Sequence, residues 1–305
     1  MAELREQSGE RSCILMAEHL IGRGPQCALR LTPKYVSTQH AVIRWSGNGW
    51  ELIDRASRNG TRLNGETVEP GRAYRLVKGS VVSFGHPEQR WSLVDVSEPQ
   101  AMVLSLDSGV VRVESFGMIG IPSTESPEIT LFRDADGIWR MEDSEGSVRG
   151  LRNGQHFEFS GESYAFSCPS SNDLTASIGV AVQRKTPTLK FVVSSDEDFV
   201  ELSMEYENRS VALGSRAHNY LLLTLARQKL ADSAEQVPAA SCGWMDKDQL
   251  AGGLRMTPQQ IDGEIFRIRR HFASHGVPES SSVVERRERT RLIRLGLDKV
   301  IVERG

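Results

Sequence analysis

The chain has 305 residues, of which 39% are hydrophobic and 25% are charged, as is typical of a globular protein with two or three domains. Its net charge of -3 argues against a surface that is basic throughout, and its short apolar runs argue against a membrane span or a signal peptide. Four scattered cysteines without a C-x-x-C pair argue against a disulfide scaffold and a zinc site. We therefore expect a cytoplasmic location.

The first segment of interest follows a flexible N-terminus at 1–12 and covers residues 13–97. It contains short β-rich runs such as 50–53, separated by the turn signals Asn48-Gly49 and Asn59-Gly60. No helical periodicity of useful length interrupts them. Several short strands at this spacing favour an antiparallel β-sandwich.

Polar motifs occupy loop positions in this segment. They are Ile-Gly-Arg at 21–23, Ser-Thr-Gln-His at 37–40, and Ser-Arg-Asn-Gly-Thr-Arg-Leu-Asn-Gly at 57–65. In this order and spacing they resemble the forkhead-associated (FHA) domain, a β-sandwich that binds phosphothreonine. The resemblance covers about residues 13–97 and implies recognition of a phosphorylated peptide by an arginine-based site.

The resemblance assigns roles residue by residue. Arg23 matches the arginine that binds the phosphate, and Ser37 matches a serine whose hydroxyl donates to it. Asn59 matches the asparagine that binds the peptide backbone. Lys34 is added as a candidate because it lies near Ser37 in sequence and could add positive charge beside the phosphate. Arg58 is added because it lies beside Asn59 and could contact the peptide.

Three further residues are expected to support the site rather than contact the ligand. His40 matches a histidine that braces the loop from behind, while Gly22 and Gly60 permit the loop turns. Taken singly, each of these residues has an ordinary structural explanation, such as a hairpin turn for Asn59-Gly60.

Residues 98–168 are predicted to form a second β-rich unit. The spacing W-x3-D-x9-N-G occurs here from Trp139 and in the first unit from Trp50. The second unit is either a degenerate FHA-like repeat or a β unit whose matches are accidental. Aligned on Trp139, Ile129 takes the place of His40 and Val148 that of Asn59, so a repeat would lack the phosphate site. A linker at 169–188 follows.

Residues 189–305 change from strands to helices and back. Three strands are predicted at 189–193, 199–204 and 210–213, and an apolar helical face runs from Ala217 to Leu230. A short helix is expected near 246–254. Thr257-Pro258-Gln259-Gln260 is a helix start with a capping box, and that helix should run to about Ser274 with Gly276 as its C-cap. β-like segments at 283–287, 291–295 and 299–302 end the chain.

This order, together with LGSRAHNYLLLTLAR at 213–227 and IDGEIFRIRRHF at 261–272, resembles the OmpR-type winged-helix DNA-binding domain. The resemblance implies a recognition helix at 261–272 and a basic terminal hairpin. Arginines of a helix in the major groove can contact bases or phosphates. The candidate DNA-contacting residues are Gln259, Arg267, Arg269, Arg270, Arg286, Arg287, Arg289 and Arg291.

Charge distribution agrees with a local basic surface. Residues 98–194 carry 8 basic and 13 acidic residues, whereas 249–305 carry 11 and 7. Such an excess is either a nucleic-acid footprint or a solvated surface. Glu264, Phe266 and Glu288 depart from what a DNA-binding surface favours.

No P-loop, kinase motif, H-E-x-x-H or G-x-S-x-G is present, so we expect neither an enzyme nor a cofactor. The pair His271 and His275 lacks further metal ligands in sequence, so no metal site is expected.

The hypothesis is a bacterial-type regulator. It binds a phosphothreonine on a Ser/Thr kinase, on a kinase substrate or on another copy of itself, and it binds double-stranded DNA through the winged helix. The alternative is an adaptor whose winged helix contacts proteins. On the first hypothesis, phosphopeptide binding either unmasks arginines that the acidic middle region shields or brings copies of the chain together.

Overall fold

The computed structural model describes residues 1–9, 11–169, 187–196, 198–206 and 209–305. Nearly all of the predicted linker at 169–188 lies outside the described residues. The described residues form two compact units. The N-terminal unit contains 1–114 and 152–169, and the C-terminal unit contains 115–151 and 187–305. Within the described ranges, no helix is both long enough and apolar enough to cross a lipid bilayer.

The N-terminal unit begins with eleven short strands. They are β1 (Glu3–Glu6), β2 (Ser12–Ile14), β3 (Glu18–Gly22), β4 (Leu29–Arg30), β5 (Ala41–Trp45), β6 (Trp50–Asp54), β7 (Thr61–Leu63), β8 (Glu66–Thr67), β9 (Ala73–Leu76), β10 (Val81–Phe84) and β11 (Arg90–Asp95). One sheet has the order β2-β1-β11-β10-β7-β8 and the other β4-β3-β5-β6-β9. Side chains from both sheets, including Trp50, Phe84 and Trp91, form one apolar core, as expected for a sandwich.

Eight further strands follow. They are β12 (Met102–Ser105), β13 (Val111–Val113), β14 (Met118–Ile121), β15 (Ile129–Arg133), β16 (Trp139–Asp143), β17 (Val148–Gly150), β18 (His156–Phe159) and β19 (Glu162–Ser167). The sheet β13-β12-β19-β18 belongs to the N-terminal unit and the sheet β14-β15-β16-β17 to the C-terminal unit. The two orders repeat β2-β1-β11-β10 and β3-β5-β6-β9 of the first eleven strands.

The W-x3-D-x9-N-G pattern occupies corresponding places in two strand sets, β1–β11 and β12–β19. Trp50 and Trp139 begin β6 and β16, and the aspartates end them. The Asn64 carboxamide oxygen accepts from the Val81 amide, as that of Asn153 does from the Cys168 amide. Descent of both sets from one unit stays a prediction.

The register corrects the sequence alignment of the two sets. Ala41 pairs with Asp54 in the first, and Ile129 pairs with Asp143 in the second. Ile129 therefore corresponds to Ala41, and Glu128 takes the place of His40. The shift arises because the turn at 134–138 is longer than that at 46–49. Asn59 has no counterpart, because β16 and β17 are joined by 144–147 alone.

The C-terminal unit continues with strands and three α-helices. They are β20 (Thr188–Val193), β21 (Val200–Tyr206), β22 (Arg209–Ser215), α1 (Asn219–Ala234), β23 (Met245–Asp246), α2 (Lys247–Gly253), α3 (Pro258–Ser274), β24 (Val284–Arg286), β25 (Leu292–Leu295) and β26 (Lys299–Arg304), with a 3-10 turn at Ser280–Ser282. The sheets are β22-β21-β20-β26 and β23-β25-β24. The predicted strands and helices are thus present, whereas the parallel pairing of β26 with β20 was not anticipated.

Helix α3 begins as its sequence predicts. The Thr257 hydroxyl accepts from the Gln260 amide at 3.2 Å, and the Gln260 side chain accepts from the Thr257 amide at 2.6 Å, which completes the capping box. Its apolar residues Ile261, Ile265, Ile268 and Phe272 lie in the core of the C-terminal unit. The C-cap is His275, and Gly276, predicted as the cap, follows it with φ +70°.

Candidate functional site

The predicted phosphate-site residues of the N-terminal unit meet because β3 and β6 end, and β5 begins, at the same edge of one sheet. β3 and β6 both run antiparallel to β5, with Ile21, Ala41 and Asp54 side by side. The segment that follows β3 (23–40) and the segment that follows β6 (55–72) therefore leave the sheet together. Loops supported by a rigid sandwich in this way are a common location for binding residues.

The 23–40 segment folds back on itself and places Arg23 beside Ser37. The Arg23 amide donates to the Ser37 carbonyl at 2.9 Å, and the Arg23 Nε donates to the Val36 carbonyl at 3.4 Å. A Cβ on Gly22 would lie 2.4 Å from the Thr38 carbonyl oxygen, so only glycine permits this approach.

His40 joins the two loops from the inside. The Ser37 amide donates to its Nδ1 at 3.1 Å, so the proton of the neutral ring is on Nε2, which donates to the Gly60 carbonyl at 3.2 Å. Burial lowers the pKa of His40 below its ordinary value, although the hydrogen bond to Gly60 opposes this effect. The side chain is fully buried and therefore serves as a brace between the loops.

The start of the 55–72 segment is fixed by the buried carboxylate of Asp54. It accepts from the Ser57 amide at 2.9 Å and from the Thr61 hydroxyl at 2.5 Å. Gly60 turns the chain with φ +75°, a conformation that favours glycine. These bonds hold the intervening residues 58 and 59 against the neighbouring loop.

Arg58 and Asn59 each bond across to the 23–40 segment. The Arg58 amide donates to the Ser37 hydroxyl oxygen at 3.0 Å, and the Asn59 side-chain amide donates to the Tyr35 carbonyl at 2.9 Å. The Ser37 hydroxyl hydrogen remains available for an external acceptor, and the Asn59 carboxamide oxygen can accept a hydrogen bond.

The edge is rich in positive charge. Arg23, Lys34 and Arg58 are exposed, and none of them forms an ion pair with a carboxylate among the described residues. Lys34 directly precedes Tyr35, whose carbonyl holds Asn59. Exposed cations beside a hydroxyl donor form a site suited to a dianionic group.

Comparison with protein families identifies this region. The family model described as "FHA domain" matches residues 19–85, a range that includes every predicted phosphate-site residue. This part of the chain is an FHA domain. The predicted winged helix lies outside this range.

The matches to relatives of known sequence cover only part of this chain and only part of each relative. The chain is 35% identical over 86 residues to the FHA domain-containing protein FhaA of Mycobacterium tuberculosis, covering 28% of this chain and 16% of FhaA. It is 36% identical over 78 residues to FhaB of the same species, covering 26% of this chain and 49% of FhaB.

Solved structures also resemble the FHA domain. One, from a structural and functional analysis of phosphothreonine-dependent FHA domain interactions, is 28% identical, with a TM-score of 0.29, and the match covers 32% of this chain and 98% of that one. The FhaA FHA domain, solved in a complex, is 30% identical with a TM-score of 0.27 and covers 30% of this chain and 98% of that one.

The predicted DNA-contacting residues fall into three groups. Gln259, Arg287, Arg289 and Arg291 are exposed. Arg267 and Arg270 are half-buried. Arg267 donates to the Glu264 carboxylate and the Glu125 carbonyl, and Arg270 lies over the Phe266 ring. Arg269 and Arg286 are enclosed, so neither can reach a duplex in the described conformation.

Arg269 and Arg286 belong to a buried charge network that the sequence did not reveal. Glu142 of β16 contacts Arg269 at 2.5 Å and Arg286 at 3.5 Å. Asp262 of α3 contacts Arg286 and Lys247, each at 3.0 Å. We call these five residues the charge network. The only sequence signal was that Asp262 and Arg269 lie among apolar positions of α3.

The network is electrostatically coupled. Burial raises the pKa of the Glu142 carboxyl, but Arg269 and Arg286 outweigh that effect and hold the pKa below its ordinary value. Glu142 is therefore charged at neutral pH. Buried ion pairs of this kind are tolerated only when each charge has partners.

His271, considered as a metal ligand from sequence, contacts His218 instead. The two ring nitrogens lie 3.0 Å apart, and burial, followed by the neighbouring His271, lowers the pKa of His218 to about 4. Within the described ranges, no three His, Cys, Asp or Glu side chains are arranged to hold a metal ion.

Proposed function

We propose that this protein is a phosphothreonine-dependent signalling protein that binds a phosphorylated partner through its FHA domain. The observation that carries the proposal is the meeting of Arg23, Ser37 and Asn59 at one edge of a rigid sandwich. The Arg23 guanidinium would bind two phosphate oxygens, and the Ser37 hydroxyl would donate to one of them.

The second part of the ligand is the peptide next to the phosphate. The Asn59 carboxamide is held by the Tyr35 carbonyl through its nitrogen, so its oxygen would accept from a peptide amide. Because His40 and Asp54 fix both loops before the ligand arrives, binding would require little ordering of the site. Lys34 and Arg58 would add attraction for the phosphate at longer range.

The partner is a phosphothreonine protein in bacterial Ser/Thr kinase signalling. Its source is the kinase, a substrate of the kinase or another copy of this chain, each of which presents the same group in the cytoplasm. The role is one of binding, without catalysis or a cofactor.

A phosphopeptide-library screen by fluorescence polarisation tests the proposal. We expect binding of phosphothreonine peptides and none of their unphosphorylated forms. Arg23→Ala and Asn59→Ala should each lower affinity at least tenfold, whereas Arg30→Ala, an exposed arginine of β4, should change it less than threefold. Unchanged affinity in both site variants would overturn the assignment.

For the C-terminal unit, we propose a winged helix with double-stranded DNA as a second partner. The order α1-β23-α2-α3-β24-β25 supports this interpretation, and so does the exposed hairpin that carries Arg287, Arg289 and Arg291. The adaptor alternative is supported by α3, whose Arg269 is enclosed. Fluorescence polarisation with a random DNA duplex at 50 and 200 mM salt separates DNA binding from the adaptor alternative. Phosphate contacts make DNA affinity strongly salt-dependent, so DNA binding should weaken as salt rises, whereas an adaptor should show no such binding.

A further inference from the structure

The β14–β17 sheet has an edge that corresponds to the phosphopeptide edge of the FHA domain. Ile121, Ile129 and Asp143 lie side by side, as Ile21, Ala41 and Asp54 do in the FHA sheet. The segments that leave this edge are 122–128 and 144–147, in place of the much longer 23–40 and 55–72. We call 122–128 and 144–147 the short loops.

The short loops present backbone oxygens to basic residues of the C-terminal unit. The Glu125 carbonyl accepts a hydrogen bond from Arg267 at 3.2 Å. The carbonyl of Asp143, at the end of β16, accepts from Arg286 at 3.2 Å. The carbonyl of Ser144 accepts from Lys247 at 3.3 Å. Three elements, α3, β24 and α2, thus place a cation against this one edge.

The charge network adds a carboxylate to these carbonyls. Glu142, the last residue but one of β16, is 6% exposed and contacts both Arg269 of α3 and Arg286 of β24. Arg269 also donates to the Val284 carbonyl of β24. A carboxylate with two arginines is thus buried between the sheet, the helix and the hairpin.

Backbone packing is close at the same place. Gly263 lies in the interior of α3, where glycine is less favourable than alanine. A Cβ at this position would stand 2.6 Å from the Glu125 carbonyl oxygen, so only glycine permits this close approach. Gly146 of the short loops would bring a Cβ within 2.8 Å of Arg286 Cβ. Phe266 is 1% exposed although it lies outside the apolar core cluster of the C-terminal unit.

We propose that the edge of the β14–β17 sheet binds cations, and that it is the counterpart of the phosphopeptide edge of the FHA domain, which we call the FHA edge. The ligand of the β14–β17 edge is the α3–β24 surface of this same chain. The sheet covers the face of α3 that a DNA major groove would need. An outside partner of that face, DNA included, must displace the short loops. The consequence for DNA rests on the proposed winged-helix function, whereas the covering itself does not.

Gly263→Ala in the full chain distinguishes a covered helix from an open one. On an open helix, alanine is the better helix former and should slow amide exchange of α3 about threefold. On the covered helix, the methyl group meets the Glu125 carbonyl, and we expect exchange of 262–270 and of the short loops to become at least tenfold faster. Hydrogen exchange with mass spectrometry measures both. Slower exchange in Gly263→Ala would overturn the proposal.

Gly252→Ala is the matched control. Gly252 lies in helix α2, and a Cβ there meets no atom within 4 Å. This variant should leave exchange of the short loops within twofold of the wild type. Acceleration equal to that of Gly263→Ala would also count against the proposal, since it would trace the effect to general loosening.

Glu142→Gln tests the charge contribution if Gly263→Ala fails to fold. Exchange of 262–270 should again accelerate at least tenfold, while Glu145→Gln, an exposed carboxylate of the same loops, should have an effect below twofold. Equal exchange in both variants would contradict the proposal. DNA affinity, measured on the same samples, reports the winged-helix function separately. Faster exchange without DNA binding would support the proposal that the sheet covers α3 and would exclude DNA as a partner.

Discussion

The two strand sets share an order but present opposite charges at the corresponding edge. The FHA edge has long loops with Arg23, Lys34 and Arg58 facing solvent, and among the described residues these cations have no carboxylate partner. The β14–β17 edge has short loops, carbonyl oxygens and Glu142, all facing cations of its own unit. Loop length and charge, rather than the strand framework, decide which ligand each edge takes.

The largest effect is expected from removing a carboxylate from the charge network. In Asp262→Asn, Lys247 and Arg286 remain buried without their shared anion, so the C-terminal unit should lose about 3 to 5 kcal/mol of stability. Urea unfolding followed by fluorescence measures the loss.

The exposed pair of Asp248 and Arg291 provides the control for Asp262→Asn. Asp248→Asn should cost less than about 1 kcal/mol. Similar losses of unfolding free energy in Asp262→Asn and Asp248→Asn would mean that burial does not determine how much an ion pair of the charge network stabilises the C-terminal unit. Phosphopeptide affinity should stay unchanged in both.

The second prediction concerns the FHA edge. Ser37→Ala removes a hydroxyl that both accepts from the Arg58 amide and is free to donate to phosphate. The loss of one hydrogen bond to a charged group is worth about 1.5 to 3 kcal/mol, so affinity for a phosphothreonine peptide should fall by about tenfold or more. Calorimetric titration measures the loss, and Ser46→Ala, at the opposite end of β5, should leave affinity unchanged.

The third prediction concerns pH and the N-terminal unit. Burial lowers the pKa of His19 from 6.5 to about 4, so the unfolded chain takes up a proton below pH 6.5 that the folded chain refuses until about pH 4. Stability should therefore fall by about 2 kcal/mol between pH 7 and pH 5 through this group.

Hydrogen exchange of residues 18–54 at the two pH values measures this fall. His19→Asn should show a smaller decrease than the wild type, with the contribution of His40 still present. His156→Asn, at an exposed position, should behave as the wild type does. An undiminished pH dependence in His19→Asn would assign the acid sensitivity to another group.

Local signals in the sequence predicted much of the fold. Thr257, Pro258 and Gln260 specify the start of α3 through bonds within four residues, and the strands of 13–97 follow from alternation and turns. The FHA motifs could be read in the same way, since each is a short continuous stretch of sequence.

The parts that sequence did not predict depend on contacts between distant segments. Glu142 and Arg269 are 127 residues apart, and the sequence around each of them does not indicate which residue it pairs with. For this reason the sequence alone places Arg269 and Arg286 among the surface arginines. The pairing of β26 with β20 is likewise parallel and distant in sequence.

The number of phosphothreonine sites in the full chain tests the contrast between the two edges most directly. Calorimetric titration with a phosphothreonine peptide selected by the screen should give one site per chain, and Arg23→Ala should lower the affinity of that site at least tenfold. Two sites per chain, or unchanged affinity in Arg23→Ala, would contradict the assignment of phosphate recognition to the FHA edge alone.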